Sequence, residues 1–242
     1  MLITSISNDK VKSWNKLKQK KYRDENREFL IEGLHLVLEA YKTGNIKELI
    51  LEQDELVPLD VPTTYVTKEI INKISLLKSP SNVMAVCKMP DYNSELGAKI
   101  LMLDGIQDPG NLGTIIRSAV AFGIDTIVLG ENTVDCYNEK VIRGSQGMIF
   151  YINIINKNIK ELIPNLKDNN IKVFGTKVTH GKNLKETNIT DNFAIIMGNE
   201  GSGVSEEILD LCDEYIYINM SQVCESLNVG VATSIILYQF SK

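Results

Sequence analysis

The chain has 242 residues, 43% of them hydrophobic, and a formal net charge of −5. This length and composition can build one large or two small domains around a real core, so a disordered protein is not expected. No run approaches the roughly 18 apolar residues needed to cross a bilayer, and residues 1–12 lack the pattern of a secretion signal. We therefore expect a cytoplasmic protein without a membrane partner. Four scattered cysteines without a CxxC pair, and only two histidines, predict no metal site.

Residues 1–24 form a basic N-terminal segment. Its stretch 10–23, KVKSWNKLKQKKYR, contains seven lysines or arginines and no acid, with Trp14 and Tyr22 interleaved. This pattern is typical of a surface that contacts RNA phosphates and stacks on bases. It also fits a solvated basic helix that buries Trp14 and Leu17, and from these residues alone that second interpretation is favoured.

Residues 25–92 are predicted to form a small α/β domain. Apolar runs and turn residues indicate, in chain order, a short strand from Phe29, a helix from Gly33 to Lys42, a strand from Ile46 to Leu51, a strand at 63–67, a helix at 68–75 and a strand at 83–89. The polar segment 89–99, MPDYNSELGAK, is the predicted linker, with the domain boundary near residue 95.

The second half alternates strands and helices. The strands are predicted at 100–106, 125–130, 148–155, 171–178, 193–198 and 214–220, and the helices at 114–123, 138–147, 158–168, 205–212 and 226–240. Strands that are nearly continuous apolar runs between helices indicate a parallel sheet covered on both faces. Ligands bind such sheets at the carboxyl ends of the strands, so the loops there are the candidate binding segments.

The first such loop is DGIQDPGNLGTIIRSAVAFG. Pro109 and Gly110 fit the centre of a type II turn, and Asn111 can cap the following helix. On that helix Arg117 projects away from the apolar arc, so it is either a solvated side chain or a clamp for phosphate or carboxylate.

The second and third loops are MGNEGSG, residues 197–203, and the stretch ending in ESLNVGVA. In the second, the glycines suggest close approach to a ligand, but Glu200 would repel a phosphate; a solvated Glu200 in a simple turn is the alternative. Ser205 is predicted to cap the next helix. In the third loop, Ser226 or a neighbour caps the last helix, and Gly230 is predicted to permit a close backbone contact.

Together DPGNLGTIIRSA, MGNEGSG and ESLNVGVA, in this order and spacing, resemble the three motifs of the SpoU, or TrmH-like, ribose 2'-O-methyltransferases of the SPOUT superfamily. The stretch from FLIEGLHLVLEA through SPSNVMAVCK looks like the small substrate-binding domain of that family, which resembles an RNA-binding ribosomal protein. The resemblance implies an α/β fold in which residues 98–242 form a parallel-sheet SPOUT domain with a deep trefoil knot. It also implies a homodimer and S-adenosylmethionine as cofactor.

The resemblance further implies roles for individual residues. The residues that match polar active-site positions are Asn111, Arg117, Glu200, Ser226 and Asn228. The cofactor-binding positions are Thr176, Met197, Gly198, Asn199, Gly201, Ile218, Met220 and Leu227. Those expected to contact RNA are Lys16, Lys20, Arg23, Arg117 and Arg143.

The reaction implied is methyl transfer from the sulfonium of the cofactor to a ribose 2'-hydroxyl of structured RNA, with ribosomal RNA ahead of transfer RNA. The family's suggested base is Arg117, but a guanidinium with a pKa above about 12 is a poor proton acceptor near neutrality. We interpret Arg117 as holding the adjacent phosphate and stabilising the developing alkoxide. A carboxylate at Glu200 is compatible with a cationic, phosphate-free cofactor.

Three positions of the third motif, Asn219, Gln222 and Gly230, depart from the family pattern, which leaves open a weakened affinity for the cofactor. One alternative is therefore a non-catalytic RNA-binding protein on the same fold. A nucleotide-dependent oxidoreductase is disfavoured because no GxGxxG follows the first strand. A base methyltransferase using Cys224 is disfavoured because no histidine lies nearby in sequence to activate the thiol.

Overall fold

The architecture is taken from a computed structural model that describes residues 2–91, 95–221 and 223–241. The chain divides into two compact units. The first contains Met1–Asp91 and Tyr137–Phe150, and the second contains Tyr92–Cys136 and Tyr151–Lys242. The segment 137–150, which the sequence assigned to the second domain, thus groups with the first unit. The predicted linker lies partly outside the described residues, at positions 92–94.

The helices of the described chain are α1 (Asp9–Lys16), α2 (Lys20–Asn26), α3 (Leu34–Lys42), α4 (Lys68–Ile74), α5 (Pro109–Ala121), α6 (Glu139–Gly144), α7 (Ile159–Asp168), α8 (Glu206–Leu209) and α9 (Val229–Phe240). The strands are β1 (Leu2–Ile3), β2 (Glu28–Glu32), β3 (Ile46–Glu52), β4 (Thr63–Val66), β5 (Val83–Lys88), β6 (Lys99–Asp104), β7 (Thr126–Leu129), β8 (Asn153–Asn156), β9 (Lys172–Thr176), β10 (Lys182–Asn183), β11 (Phe193–Gly198) and β12 (Glu214–Tyr217).

The first unit is a mixed sheet with helices, as the sequence predicted. Its strand order is β1-β4-β3-β5-β2; β1, β4 and β3 run parallel, whereas β5 is antiparallel to both β3 and β2. Five of the six residues of β5 are buried and its sequence is an apolar run, whereas β3 is buried only at Leu49, Ile50 and Leu51.

The basic N-terminal segment forms α1 and α2, and its apolar side belongs to the core. Trp14 and Leu17 are buried in one cluster with Ile70 of α4 and Ile50 of β3. The burial of Trp14 and Leu17 confirms that part of the solvated-helix interpretation, and every lysine of the segment except the half-buried Lys18 is exposed. Contact of these lysines with RNA remains a prediction.

Arg23 differs from the other cations of this segment because it is buried. Its Nη1 donates hydrogen bonds to the carbonyl oxygens of Leu17 (3.0 Å) and Lys18 (2.9 Å). The guanidinium therefore ties α2 to the end of α1, and it is not presented to an RNA backbone. By contrast Lys16 and Lys20 are exposed; Lys16 lies 5.4 Å from the ring centroid of Tyr22.

The second unit contains a fully parallel seven-stranded sheet of order β10-β12-β9-β11-β6-β7-β8. This confirms the predicted parallel α/β architecture. Every residue of β7 and of β11 is buried, which explains their uninterrupted apolar sequences. The chain adds strands on one side of β6 and then crosses to the other side, and such a reversal opens a crevice at the carboxyl ends of the strands.

One predicted strand, 148–155, is wrong in its first half. Residues Met148–Phe150 form a 3-10 helix, and the strand begins only at Asn153. Gln146 and Gly147 adopt positive φ angles of 52° and 83°, which turn the chain before the apolar run. Phe150 then stacks on Phe29, at 5.9 Å between ring centroids, in the core of the first unit. The first part of the apolar run thus packs in the core of the first unit, and its last part forms β8 in the sheet of the second unit.

We expect Arg23→Met to lower the free energy of unfolding by about 1–3 kcal/mol, because two carbonyls lose their donor. The matched control is Lys20→Met, which removes an exposed ion pair with Asp24 and should change stability by less than about 0.5 kcal/mol. Chemical denaturation of the two variants measures the difference. Equal stability of the two variants would contradict the structural role of Arg23.

Candidate functional site

A cavity of about 670 Å³ lies at the carboxyl ends of β9, β11 and β12. Its wall is completed by the loop 198–204 and by the segment that precedes α9. All eight predicted cofactor-binding residues line it: Thr176, Met197, Gly198, Asn199, Gly201, Ile218, Met220 and Leu227. The structure thus brings these positions together, and their binding of a cofactor remains a prediction.

The loop after β11 closes on itself through its glycines. Asn199 and Gly203 exchange two main-chain hydrogen bonds of 3.0 and 2.9 Å. A Cβ on Gly198 would lie 2.0 Å from the carbonyl carbon of Gly203 and 2.0 Å from the nitrogen of Val204. No side chain fits at that distance, so residue 198 must be glycine for this turn to form. The turn forms part of the cavity wall.

The side chain of Asn199 fixes the same loop to Gly105, the residue that follows β6. Its Oδ1 accepts hydrogen bonds from the main-chain N–H groups of Gly201 (2.8 Å) and Ser202 (3.3 Å), and its Nδ2 donates to the carbonyl of Gly105 (2.7 Å). Asparagine suits both tasks because its amide offers a donor and an acceptor. The loop therefore has a defined shape before any ligand binds.

Glu200 fastens this loop to the start of α5. Its carboxylate accepts hydrogen bonds from the main-chain N–H groups of Gln107 (3.3 Å) and Asp108 (3.2 Å) and from Nδ2 of Asn111 (2.9 Å). Partial burial alone would raise the pKa of Glu200, but these hydrogen bonds and one from its own main chain outweigh burial, so the pKa lies below its ordinary value. The carboxylate is ionised and held.

Asn111 carries the connection on to the third loop. Because an ionised carboxylate only accepts, Asn111 must present its NH₂ group to Glu200 and its oxygen to the other side. That oxygen accepts a hydrogen bond from Nδ2 of Asn228 (2.8 Å). The oxygen of Asn228 is then left to accept from the main-chain N–H groups of Gly230 (3.0 Å) and Val231 (3.3 Å). One charge orients both amides.

Two predicted helix starts need correction. Asp108, not Asn111, caps α5, since its Oδ1 accepts from the N–H of Asn111 at 2.9 Å, and Pro109 is the first helical residue and not the centre of a type II turn. Asn228, not Ser226, caps α9, which begins at Val229. Ser205 does precede α8, but its side chain makes no capping hydrogen bond.

Small residues bring α5 and α9 together. A Cβ on Gly230 would lie 3.2 Å from Cγ2 of Thr114, and the hydroxyls of Ser118 and Ser234 are 2.7 Å apart. Gly230 thus permits the close contact expected from the sequence. The contact holds the start of α9 beside Asn111 on α5.

The remaining predicted active-site residues are placed differently. Ser226 is exposed and lines the cavity, and its carbonyl accepts a hydrogen bond from the thiol of Cys224 (3.2 Å). Arg117 is exposed on α5 and is not part of the cavity wall; within the described residues it makes no hydrogen bond or ion pair. The structure therefore joins Glu200, Asn111 and Asn228 but does not bring Arg117 to them within one chain.

The cavity wall also contains Lys177, His180 and Glu206, to which the sequence assigned no part in the site. Lys177 directly follows β9, and its Nζ lies 3.8 Å from Oε2 of Glu206. The position of Lys177 at the carboxyl end of a parallel strand was the available signal in the sequence.

The remaining sequence predictions concern the third motif, the RNA contacts, a metal site and the membrane. Asn219 is exposed just beyond β12, and Gln222 lies outside the described residues. Arg143 is exposed on α6. No group of three or more histidine, cysteine, aspartate or glutamate side chains among the described residues could hold a metal ion. Within the same residues, every helix is too short or too polar to cross a bilayer.

Comparison with known families gives two matches. A family model described as the SpoU rRNA Methylase family matches residues 98–238, and one described as an MRM3-like substrate binding domain matches residues 8–85.

Relatives of known name cover almost the whole chain. The 23S rRNA (guanosine(2553)-2'-O)-methyltransferase RlmP of Bacillus subtilis (strain 168) is 39% identical, over 98% of this chain and 97% of its own. The AdoMet-bound rRNA methyltransferase of Sinorhizobium meliloti is 30% identical, with a TM-score of 0.87 over 99% of this chain and 97% of its own. An RNA 2'-O ribose methyltransferase structure is 29% identical, with a TM-score of 0.82 over 99% and 98%.

We expect Gly198→Ala to lower the free energy of unfolding by about 3 kcal/mol, because its Cβ would overlap the main chain of Gly203 and Val204. Gly201→Ala is the matched control: a Cβ there has ordinary contact, 3.5 Å from Oδ1 of Asn199, so its cost should be small. Denaturant unfolding of both proteins checks this. A Gly198→Ala protein as stable as the Gly201→Ala protein would contradict the described turn.

We expect Asn111→Ala to raise the pKa of Glu200, since the carboxylate loses one donor. With a folded pKa below the unfolded value of about 4.3, Glu200 stabilises the fold above that pH, and this contribution is lost as the pH falls through the folded pKa. NMR titration of the Glu200 carboxyl carbon measures this pKa in the unaltered protein and in the Asn111→Ala variant. Asn228→Ala, which removes no direct bond to Glu200, should shift this pKa less; an equal shift would argue against the order of the hydrogen bonds.

Proposed function

The chain belongs to the SpoU rRNA methylase family, and from this premise we propose that it transfers a methyl group from S-adenosylmethionine to a ribose 2'-hydroxyl of ribosomal RNA. One observation carries the proposal. The hydrogen bonds from Asn228 to Asn111 and from Asn111 to Glu200 link three loops that are far apart in the sequence, at the edge of a ligand-sized cavity. A set of polar groups fixed beside a cavity is the arrangement expected of a site that aligns two reactants.

The cavity fits the cofactor in size and in charge. A volume of about 670 Å³ lies in the range of small-molecule sites. Lys177 is the one lysine among the described lining residues, and none is arginine, so the wall suits a ligand without phosphates. When bound, S-adenosylmethionine supplies a methyl group on a sulfonium that is already activated for transfer. In our proposal the main chain at Gly198, Ile218 and Leu227 holds the adenosyl part.

The polar residues at the edge of the cavity are proposed to position the reactants. Glu200 has its oxygens committed to Gln107, Asp108 and Asn111, so it acts by fixing the loop and not as a base. Asn228 and Ser226 line the cavity and can orient the ribose hydroxyl. Their side chains donate and accept hydrogen bonds but do not titrate near neutral pH, so the hydroxyl proton leaves to water or to a phosphate.

Arg117 is proposed to stabilise the transition state across a subunit interface. Near it, α9 exposes an apolar face in which Val231, Ile235 and Tyr238 are 48%, 38% and 58% exposed. These residues lie at helical spacing i, i+4 and i+7, and an apolar stripe of this kind is typical of an interface. We therefore propose a homodimer in which Arg117 acts on RNA bound at the other subunit's site. Sedimentation equilibrium measures the mass directly.

The first unit is proposed to bind the RNA. It contains the whole of the substrate-binding match, and its exposed cations Lys16, Lys20 and Arg143 can contact phosphates. We keep 25–92 and 98–242 as the proposed limits of the substrate-binding and methyltransferase domains. Ribosomal RNA is favoured over transfer RNA by the named activity of the Bacillus relative. A protein that acts on ribosomal RNA would work in the cytoplasm.

We also propose that the last part of the chain forms the trefoil knot of the family. Ile218, Met220 and residues 226–228 line the same cavity as residues 176–180 and the loop 198–204, and α9 then packs on α5. This route places the end of the chain among segments from three different strands. Membership of the family is the main support for the knot.

The test is to map 2'-O-methylation in total RNA from cells that lack the protein. We expect one missing mark in ribosomal RNA, restored when the purified protein and S-adenosylmethionine are added to that RNA. A missing mark in transfer RNA would redirect the target and leave the chemistry intact. An unchanged map, together with no heat on calorimetric titration with S-adenosylmethionine, would favour a non-catalytic RNA-binding protein.

The variant that tests the role of Arg117 in this assay is Arg117→Lys. It keeps the charge but loses the planar fork, so we expect the methylation rate to fall by about 10²-fold while cofactor affinity stays unchanged. Near-normal turnover with only weaker RNA binding would show that Arg117 does not stabilise the transition state.

A further inference from the structure

The cavity wall holds two opposite charges whose hydrogen-bonding capacity is largely unused. Glu200, the third charged group there, already accepts from three donors of other residues. The carboxylate of Glu206, by contrast, has a single charged neighbour among the described residues, Nζ of Lys177 at 3.8 Å. That distance is too long for a hydrogen bond, so the ammonium of Lys177 and the carboxylate of Glu206 can both still form hydrogen bonds with a ligand.

Lys177 is held in place by a main-chain hydrogen bond and by the contact of its ammonium with an aromatic ring. Its N–H donates to the carbonyl of Ile216 at 3.0 Å, and its ammonium lies 4.6 Å from the ring centroid of Tyr215. Its side chain is 27% exposed, whereas that of Glu206 is 81% exposed. An ion pair this loose and this exposed contributes little to stability, so a structural role does not account for it.

We propose that Lys177 and Glu206 bind the amino-acid end of S-adenosylmethionine, with Lys177 on its α-carboxylate and Glu206 on its α-ammonium. The inference rests on the proposed function, which supplies this cofactor. An amino acid carries opposite charges on adjacent groups, and two opposite protein charges 3.8 Å apart are complementary to it. Binding replaces one loose ion pair by two closer ones, each with charge-assisted hydrogen bonds.

The inference gives Lys177 a role in specificity. Adenosine derivatives that lack the amino-acid part can still occupy the adenosyl portion of the cavity, but they gain nothing from Lys177 or Glu206. The pair should therefore favour S-adenosylmethionine and S-adenosylhomocysteine over other adenosine compounds of similar size.

Calorimetric titration of the full-length protein with three probes tests this. S-adenosylhomocysteine carries both charged groups, decarboxylated S-adenosylmethionine carries only the amine, and 5'-methylthioadenosine carries neither. We expect Lys177→Met to weaken S-adenosylhomocysteine about tenfold, or about 1.4 kcal/mol, and to change the other two by less than about twofold. Glu206→Gln should weaken S-adenosylhomocysteine and the decarboxylated compound, again without effect on 5'-methylthioadenosine.

The matched control is Lys172→Met. Lys172 lies at the other end of β9, also over an aromatic ring (4.8 Å from the centroid of Phe174) and paired with Glu214, but it does not line the cavity. Its loss should leave all three affinities unchanged, and Lys177→Arg should recover most of the lost affinity.

Two failures are distinguishable. If the unaltered protein binds neither S-adenosylhomocysteine nor 5'-methylthioadenosine, the proposed function fails. If it binds both, and Lys177→Met weakens them equally or not at all, the assignment of Lys177 is overturned. Should Lys177→Met unfold, Glu206→Gln decides, because it replaces an exposed side chain by one of the same size.

Discussion

The ionised carboxylate of Glu200 fixes the direction of the hydrogen bonds that join the three loops. Because it can only accept, it determines which end of the Asn111 amide faces it, and Asn111 determines the orientation of Asn228 in turn. Asn228 then has its oxygen free to cap α9. A neutral residue at position 200 would leave both amides free to turn over, and the edge of the cavity would lose its single arrangement.

Backbone geometry makes this chain of hydrogen bonds possible. The carboxylate reaches α5 only because the loop after β11 turns sharply at Gly198, where no Cβ fits. Asn228 reaches Asn111 only because Gly230 lets α9 approach Thr114 of α5. The glycines therefore allow the backbone segments to approach closely, and the polar residues fix the orientation of the hydrogen bonds between them. Neither set would define the site without the other.

Much of this architecture could be predicted from the sequence. The central strands of the parallel sheet are apolar runs between helices. The position of each strand and its burial can be predicted from such a run. The place of the cavity could also be predicted, because parallel strands bring the loops at their carboxyl ends side by side. The individual residues Thr176, Gly198 and Leu227 were predicted from the family resemblance, and the structure places all three in the cavity wall.

The details that escaped prediction depend on contacts between distant residues. Asp108 and Asn111 are both good helix caps; Asp108 takes that role by accepting from the N–H of Asn111, while the side chain of Asn111 bonds to Glu200, a residue distant in the sequence. Arg23 looks like its lysine neighbours in the sequence, but the turn between α1 and α2 buries it. Lys177 has no motif around it; its place in the wall follows from the fold of β9 against β12.

The strand order has a consequence for how the protein is made. β6 pairs with β7 on one side and with β11 on the other, and β11 begins only at Phe193. A growing polypeptide that has left the ribosome as far as β8 therefore carries β6 with one edge unpaired and open to wrong partners. The sheet can be completed only after most of the chain has been synthesised, so this edge of β6 lacks its native partner until β11 is made.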